Sequence, residues 1–372
     1  MNPNRKSIFL VCGESSGNKH AVDFIREYIS TFGDADFTAI GSEEMKSFGV
    51  NLLFSYTDIN LIGFTSVLKN FKKLKDKLNQ AIRFINDTSP DAVILLDSPG
   101  FNLRLMQNIR SFYTGKIIYY ISPQLWAWHK SRVKIIRDCC DLMLVIFPFE
   151  VNFYKREGVK ALYTGNPLVI RIDKFLSSYE ERPKTKITLL PGSREEEIIK
   201  ILPVFLKAGM LLAKEFNLQV QIVYPEQINP EIYGNLADVK IIKNTSNELF
   251  YTSIADSALV LTKMGTASLE CALIGTPFIT GYKTNFLNYS IAKFFTDLKY
   301  LTMANILIDK PVVKEFIQND FTVDNIISEG RRILSDEEYN AQMVYGLRKV
   351  REILTDKDAS SEAARIIHSL LK

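Results

Sequence analysis

Short apolar runs alternate with longer amphipathic stretches along most of the chain, and no other feature restricts the fold as strongly. The runs are rich in β-branched and aromatic residues, which favour strands, and helical periodicity dominates between them. Repeated strand–helix units predict parallel sheets that are layered with helices. The predicted strands are Ile8–Cys12, Phe37–Ile40, Ala92–Leu96, Lys116–Tyr120, Leu142–Ile146, Ile187–Leu190, Gln219–Val223, Val239–Ile242, Ala258–Leu261 and Pro277–Thr280.

A charged segment without apolar periodicity, residues 177–184, interrupts this series near its middle. We interpret it as a linker between two doubly wound, Rossmann-like domains at residues 1–176 and 185–322, which face one another across a cleft. Residues 323–372 show helical periodicity only. The predicted class is therefore α/β with additional C-terminal helices. Because ligands of doubly wound sheets bind beyond the carboxyl ends of the strands, we expect functional residues directly after strands.

The composition excludes several classes of protein. With 372 residues, 47% of them hydrophobic, the chain can bury a substantial core. Its 46 Lys and Arg against 42 Asp and Glu argue against nucleic acid as a partner. Four cysteines without a C-x-x-C pair, and three histidines, provide no zinc-type spacing, which indicates a reduced cytosolic protein without a structural metal. No apolar run reaches the roughly eighteen residues of a membrane span, so any membrane contact is expected to be peripheral.

The loop after the first strand, residues 13–18, reads Gly-Glu-Ser-Ser-Gly-Asn. It matches the G-x-S-x-G nucleophile elbow of α/β-hydrolases, but only one strand precedes Ser15, whereas several precede the elbow. We favour a glycine-rich turn that opens a helix and lets a polar ligand approach the backbone N–H groups. A plain tight turn is the structural alternative. The candidate contact residues are Glu14, Ser15, Ser16 and Asn18.

An aspartate, Asp97, directly follows the apolar strand Ala92–Leu96. It is therefore expected where that strand reaches the ligand-binding edge of the sheet. A carboxylate at this position can act as a general base toward a hydroxyl group. The structural alternative is that Asp97 caps the helix that follows.

Both tryptophans of the chain, Trp126 and Trp128, follow the next strand, and a basic stretch comes directly after them. Aromatic rings beside cationic side chains suit the face of a sugar or an anionic amphiphile. Core packing explains one such ring more easily than two. We therefore predict that both tryptophans contact such a ligand.

Residues 61–85 have apolar positions spaced by three and four, which predicts an amphipathic helix. Its polar positions include Lys72, Lys73 and Lys75, beside Phe71. A helix of this kind is drawn to anionic lipid headgroups, although an ordinary solvated helix face is an equal alternative. A second basic and aromatic stretch at residues 282–300 adds support for an interfacial surface.

Two glycine turns follow strands in the second half of the chain. Arg194 comes directly after one of them, and its guanidinium can pair with phosphate oxygens. The other turn, at residues 264–268, starts a helix whose N-terminus is suited to an anion. Glu270 lies one turn inside this helix, where it can accept hydrogen bonds from both ribose hydroxyls. A capping-box role is the alternative for Glu270.

Together these residues resemble lipid-A-disaccharide synthases, which are inverting glycosyltransferases with the B-type (GT-B) fold. The resemblance covers nearly the whole chain. The motifs that carry it are Gly13-Glu14-Ser15-Ser16-Gly17, Asp97-Ser98-Pro99 with Phe101-Asn102, Ser122-Pro123 with Trp126-Ala127-Trp128, Pro148-Phe149-Glu150, Leu190-Pro191-Gly192-Ser193-Arg194, Gly265-Thr266 with Leu269-Glu270, and Asn305-Ile306-Leu307.

The resemblance implies that the chain joins UDP-2,3-diacylglucosamine to 2,3-diacylglucosamine 1-phosphate (lipid X), forming the β-1,6-linked disaccharide of lipid A and releasing UDP. It implies Asp97 as the base, no metal or other cofactor, and a peripheral position on the cytosolic face of the inner membrane, in contact with anionic lipid. In this family the C-terminal helices can exchange between subunits, which leaves a homodimer open. The implied donor-site residues are Arg194, Gly265, Thr266, Ser268, Glu270 and Asn305.

Four positions depart from the usual family pattern, and three of them are typically Asp, Asp and His: Asn18, Gly100 and Asn166. The fourth, His129, is typically arginine. Other functions stay open from the sequence. One is another GT-B enzyme, such as a peptidoglycan N-acetylglucosaminyltransferase or a UDP-sugar epimerase. A different class is a non-catalytic protein that binds lipid surfaces.

Overall fold

A computed structural model describes residues 5–33, 35–59, 71–123, 125–126, 132–234, 236, 238–284, 298–354 and 357–372, with the backbone alone at 15, 16 and 71. The chain forms two compact units. One contains Met1–Pro167 and Asp356–Lys372, and the other contains Leu168–Thr355.

Within the described residues, the first unit has a seven-stranded parallel sheet in the order β3-β2-β1-β4-β5-β6-β7. Buried side chains from the strands pack against helices in two core clusters, which contain Phe24 and Tyr120 in one and Phe9 and Met106 in the other. The elements are β1 (Lys6–Cys12), α1 (Ser15–Phe32), β2 (Ala35–Gly41), β3 (Asn51–Ser55), α2 (Phe71–Thr88), β4 (Ala92–Leu96), α3 (Pro99–Ile109), β5 (Lys116–Tyr120), α4 (Val133–Cys139), β6 (Leu142–Val145), α5 (Pro148–Arg156) and β7 (Ala161–Tyr163).

The described part of the second unit has a six-stranded parallel sheet in the order β10-β9-β8-β11-β12-β13. Its interior strands, such as β8 and β11, are almost entirely buried, as expected for strands covered on both faces. The elements are α6 (Pro167–Ser178), β8 (Lys186–Leu190), α7 (Glu195–Phe216), β9 (Gln219–Pro225), β10 (Val239–Asn244), α8 (Asn247–Ala255), β11 (Ser257–Lys263), α9 (Thr266–Ile274), β12 (Phe278–Tyr282), α10 (Met303–Ile308), β13 (Glu315–Ile317), α11 (Val323–Ser335) and α12 (Glu337–Leu354).

The last helix, α13 (Ala359–Leu371), returns to the first unit and packs on α1. The ring of His368 stacks on Phe32 at 3.9 Å, and His368 Nδ1 lies 3.2 Å from the hydroxyl of Tyr28. The hydroxyl of Tyr120 also donates to the carbonyl of Ala359. The C-terminal segment thus completes the core of the first unit, because its apolar face covers α1.

The division between the units lies earlier than the linker interpreted at residues 177–184. Helix α6 runs through to Ser178 and packs within the second unit, where Phe175 contacts the Tyr251 ring at 5.5 Å. Asp173 of the same helix pairs with Arg351. These contacts explain why the helix from Leu168 to Ser178 belongs to the second unit.

Each sheet has one point where the strand order reverses. In the first sheet it lies between β1 and β4, and in the second between β8 and β11. Both strands of each pair are parallel, so their carboxyl ends meet at the same edge. Such switch points are where doubly wound sheets bind ligands.

Candidate functional site

The first switch point brings the glycine-rich loop against Asp97. Cys12 and Leu96 are register partners at the ends of β1 and β4, so the residues that follow them are neighbours. A Cβ atom on Gly17 would lie 3.3 Å from Asp97 Cβ, and one on Gly13 would lie 2.3 Å from Ser98 Oγ. Glycine at these two positions therefore allows the loop to approach the aspartate.

The backbone around Asp97 is held in a conformation that non-glycine residues rarely adopt. Asp97 and Ser98 have φ values of +49° and +43°. Ile121, which follows the neighbouring strand β5, has φ +64°, and a β-branched residue in this region is an outlier. Strained residues of this kind cluster at functional sites, where the surrounding structure maintains them.

Two side chains hold the Asp97 backbone in place. The amide of Asn102 donates to the carbonyls of Leu96 and Asp97, at 3.0 and 2.7 Å, and the hydroxyl of Tyr119 donates to the same Asp97 carbonyl. Burial and, secondly, the charge of Asp97 raise the pKa of Tyr119 well above its ordinary value, so this donor keeps its proton. The N-cap position of the helix that follows is occupied by Ser98 and not by Asp97.

The remaining residues of the glycine-rich loop have different positions. Glu14 is the N-cap residue of α1 and makes no side-chain cap bond. Asn18 is buried, and its amide exchanges two hydrogen bonds with Ser42: its Oδ1 accepts from the backbone N–H and its Nδ2 donates to Oγ. Asn18 therefore ties the loop to the end of β2. The side chains of Ser15 and Ser16 lie outside the described part of the structure.

Trp126 lies beyond β5 and is half-buried. Its indole N–H donates to Glu150 Oε1 at 3.1 Å, and its ring meets Phe149 edge-on at 5.0 Å. The other oxygen of Glu150 accepts from the backbone N–H of Phe147 at the start of α5. Burial raises the pKa of this carboxyl to about 7, against the lowering effect of its hydrogen bonds. Trp128 and His129 lie outside the described residues.

From the sequence, Glu150 stands out only as part of the Pro148-Phe149-Glu150 motif and has no role of its own. It follows a strand and a proline, and it sits three residues after an N-cap, which is the ordinary place of a helix-capping glutamate. Its burial to 1% exposure is a consequence of tertiary packing that no local pattern reveals. Two sequence signals were available. One is the place of Glu150 in the Pro148-Phe149-Glu150 motif, and the other is Trp126, whose indole N–H needs an acceptor.

The second switch point carries the predicted phosphate-binding residues. Arg194 is the exposed N-cap residue of α7, directly after the turn at Gly192, where φ is +142°. Gly265, with φ +153°, is the N-cap of α9 and is exposed together with Thr266. Both helices begin at the same edge of the sheet, because β8 and β11 are parallel neighbours. Lys263, the last residue of β11, lies at this edge too.

Two of the predicted donor residues use their polar groups within the protein. The hydroxyl of Ser268 donates to the carbonyl of Gly265 at 2.7 Å and so fixes the first turn of α9. The amide of the buried Asn305 donates to the Val313 carbonyl and to Glu315, and accepts from the Val313 N–H. Ser268 thus shapes the start of α9, and Asn305 holds the segment that leads into β13.

Glu270 lies on α9, half-buried, and accepts a hydrogen bond from the hydroxyl of Tyr251 at 3.4 Å. The N-cap of α9 is Gly265, so the capping-box position three residues later belongs to Ser268. The capping-box alternative for Glu270 is therefore wrong. Its carboxylate is one turn away from the helix N-terminus.

Comparison with known sequences assigns the family. Residues 8–367 match the family described as lipid-A-disaccharide synthetase. Lipid-A-disaccharide synthase 1 of Legionella pneumophila is 32% identical over 369 residues, which cover 96% of this chain and 95% of that protein. The synthase of Geobacter sulfurreducens is also 32% identical, over 98% of this chain and 97% of its own length. The chain belongs to the lipid-A-disaccharide synthase family.

Solved structures agree on the fold of this synthase-family chain. The S. aureus MnaA–UDP co-structure has a TM-score of 0.68 at 15% identity and covers 98% of this chain and 97% of that one. The calicheamicin glycosyltransferase CalG4 has a TM-score of 0.64 at 13% identity, with 99% and 98% covered. The predicted α/β fold of GT-B type is confirmed by these likenesses and by the two parallel sheets.

The predicted membrane surface lies on α2. Lys72, Lys73 and Lys75 are exposed, and Lys73 also forms an ion pair of 3.0 Å with Asp58. The Phe71 side chain lies outside the described part of the chain. Across the described helices, none is both long and apolar enough to span a bilayer.

Gly100 and Asn166 are two of the positions that depart from the usual family pattern. Gly100, in the first turn of α3, has open space where a Cβ would lie. The buried Asn166 donates to the carbonyl of Ile146 at 3.3 Å.

In the parts of the chain that the structure describes, no three His, Cys, Asp or Glu side chains are grouped as metal ligands would be.

Proposed function

We propose that the chain is an inverting glycosyltransferase that joins UDP-2,3-diacylglucosamine to lipid X, forming the β-1,6-linked disaccharide 1-phosphate of lipid A and UDP. Membership of the lipid-A-disaccharide synthase family supports the reaction class. The observation that carries the proposal is the position of Asp97, at the switch point of the first sheet and in a strained backbone held by Asn102 and Tyr119.

The transfer reaction requires a base that removes the proton of the acceptor hydroxyl. Asp97 takes the proton of the 6-hydroxyl group as its oxygen attacks the anomeric carbon of the donor. The bond from that carbon to the UDP oxygen breaks on the opposite face, which inverts the configuration. Asn102 and Tyr119 hold the backbone that carries this carboxylate, which restricts where the carboxylate can lie before the substrate arrives.

The leaving group, UDP, must be stabilised by positive charge. Departure of UDP places negative charge on its phosphate oxygens, and the exposed N-terminus of α9 and the guanidinium of Arg194 are suited to stabilise it. Glu270 accepts hydrogen bonds from the ribose hydroxyls. The neighbouring Thr266 presents its hydroxyl and backbone N–H at the same helix terminus.

The acceptor contacts and membrane position belong to the same proposal. Glu14 and the N-terminus of α1 contact the acceptor headgroup, and the exposed part of the Trp126 ring contacts its sugar. The exposed lysines of α2 hold the enzyme at the anionic cytosolic face of the inner membrane, so that the acyl chains remain partly in the bilayer.

Product analysis tests the proposal. Purified protein is incubated with UDP-2,3-diacylglucosamine and lipid X in mixed micelles, and UDP and the lipid products are measured by mass spectrometry. Formation of UDP and a disaccharide 1-phosphate in equal amounts is expected. Parallel incubations use UDP-N-acetylglucosamine, alone and with a lipid-linked peptidoglycan precursor. Turnover there, without turnover of the lipid X mixture, overturns the proposed substrates.

A further inference from the structure

A partly buried ion pair links the two loops at the second switch point. Lys263, at the end of β11, lies with its Nζ 2.9 Å from Glu197 Oε1 in the first turn of α7. The side chains are 23% and 14% exposed. Ion pairs this far removed from water cost desolvation energy, and their net contribution to stability is small. Stability alone therefore does not account for a lysine and a glutamate at these positions, which points to a functional role.

The ammonium of Lys263 lies where a cation is unfavourable. The position that a Cβ of Gly265 would occupy is 3.9 Å from Lys263 Nζ, which places the ammonium at the N-terminus of α9. Helix N-termini carry a partial positive charge and repel cations. The ammonium and the helix terminus together therefore require a compensating anion, and Glu197 provides one negative charge.

The carboxylate of Glu197 also occupies the turn after β8. Its Oε2 accepts from the backbone N–H of Ser193 at 3.2 Å, while Oε1 accepts from Lys263. A Cβ on Gly192 would lie 2.8 Å from this carboxylate, so the turn is shaped around it. One carboxylate thus engages a backbone N–H and an ammonium, which are the groups that typically bind phosphate.

We propose that Lys263 binds the pyrophosphate of a nucleoside diphosphate and that Glu197 competes with this pyrophosphate for the ammonium and for the Ser193 N–H. The inference rests on the proposed function, which makes a UDP-sugar the donor. A pyrophosphate carries more charge and more acceptor oxygens than one carboxylate, so it can also engage the N-terminus of α9. Glu197 then gives up its contact with the ammonium, because its carboxylate and the bound anion repel each other.

A purely structural ion pair makes a different prediction from competition. If the pair only joins the loops, removal of either partner disturbs the site and weakens nucleotide binding. If Glu197 competes with the ligand, removal of its charge strengthens binding, whereas removal of the Lys263 charge weakens it. The sign of the Glu197 effect therefore separates the two explanations.

The experiment is calorimetric titration of the full chain with UDP and with uridine, for the wild type, Lys263→Met and Glu197→Gln. A matched control is Lys186→Met, which removes an ion pair of the same 2.9 Å length, to Asp256, at the opposite end of the same sheet. Thermal melting of each variant shows that it is folded at the temperature of titration.

The expected result is that Lys263→Met raises the Kd for UDP about tenfold or more, the size of one charge-assisted hydrogen bond. Glu197→Gln lowers this Kd by about threefold, which corresponds to a modest gain in charge. Uridine affinity stays unchanged in both, and Lys186→Met leaves the Kd for UDP unchanged. The inference is overturned if Lys263→Met binds UDP as the wild type does, or if Glu197→Gln weakens binding. A wild type that binds no UDP overturns the proposed function itself.

Discussion

The indole N–H of Trp126 donates a 3.1 Å hydrogen bond to Glu150, a carboxyl that is almost completely buried. Glu150 also accepts from the Phe147 backbone at the start of α5. One side chain thus joins the segment after β5 to the segment after β6. The orientation of the tryptophan therefore depends on a carboxyl whose burial favours its neutral form.

The first prediction concerns the pH dependence of stability. Burial raises the pKa of Glu150 in the folded chain to about 7 from an ordinary 4.5. The folded state holds this proton more tightly than the unfolded state, so its contribution is complete below pH 4.5 and is lost as pH rises to about 7. The expected loss of unfolding free energy is about 3 kcal/mol. Urea denaturation at pH 5 to 8 should show this decline in the wild type and a flatter profile in Glu150→Gln; parallel profiles would contradict it.

The second prediction concerns the base. Asp97→Asn keeps the shape of the side chain but cannot accept the proton, so kcat should fall about 10² to 10⁴-fold. The Kd for UDP should stay unchanged. Asp91→Asn is the matched control, because Asp91 lies at the other end of β4 and accepts from the Ser7 backbone. Near-normal turnover of Asp97→Asn would remove the proposed mechanism.

The third prediction compares two glycines that lie beside Asp97. Gly13→Ala places a Cβ 2.3 Å from Ser98 Oγ and 2.6 Å from Ser98 Cβ, so the Asp97 loop must shift. Unfolding free energy should fall by about 1–3 kcal/mol, and turnover should fall with it. Gly100→Ala meets nothing within 4 Å in the first turn of α3, and should add about 0.5–1 kcal/mol. Thermal melting of both variants checks this; equal effects would show that the Gly13 contact does not matter.

The fourth prediction concerns ribose recognition. If Glu270 accepts hydrogen bonds from both ribose hydroxyls, Glu270→Gln should weaken UDP binding about 10- to 100-fold. The wild type should also prefer UDP to 2′-deoxy-UDP, and the variant should lose most of that preference. Calorimetric titration with both nucleotides measures the coupling. A variant that retains the full preference would exclude Glu270 as the ribose partner. Tyr251→Phe, which removes the hydroxyl that Glu270 accepts from, serves as the control for local structure.

How far the sequence determines these features differs from element to element. Interior strands such as β4, with the residues Ala-Val-Ile-Leu-Leu, are buried at every position, so a continuous apolar run identifies them. The edge strands β3, β7 and β13 were missed. They are three to five residues long and largely half-exposed, so they have no such run. Each of them pairs with a single neighbouring strand, so its own sequence does not reveal that it is a strand.

The site shows the same division. Asp97 and the Gly265 turn were predicted because each directly follows an interior strand, and parallel strands bring such residues to one edge. Lys263 and Glu197 are far apart in sequence, and each has the appearance of an ordinary charged residue at the end of a strand or the start of a helix. Their pairing arises only from the neighbouring positions of β8 and β11. Glu150 is the corresponding case in the first unit.

The last prediction concerns the membrane surface of α2. Lys72 and Lys75 are exposed, and each lysine near an anionic bilayer contributes about 1 kcal/mol of attraction. The double substitution Lys72→Gln and Lys75→Gln should therefore reduce partitioning into phosphatidylglycerol-containing vesicles by about 30-fold. Lys214→Gln with Lys240→Gln removes the same charge from exposed positions of the second unit and is the matched control. Vesicle sedimentation measures both. Equal losses would show a general charge effect, and the assignment of α2 as the lipid-facing helix would then be wrong.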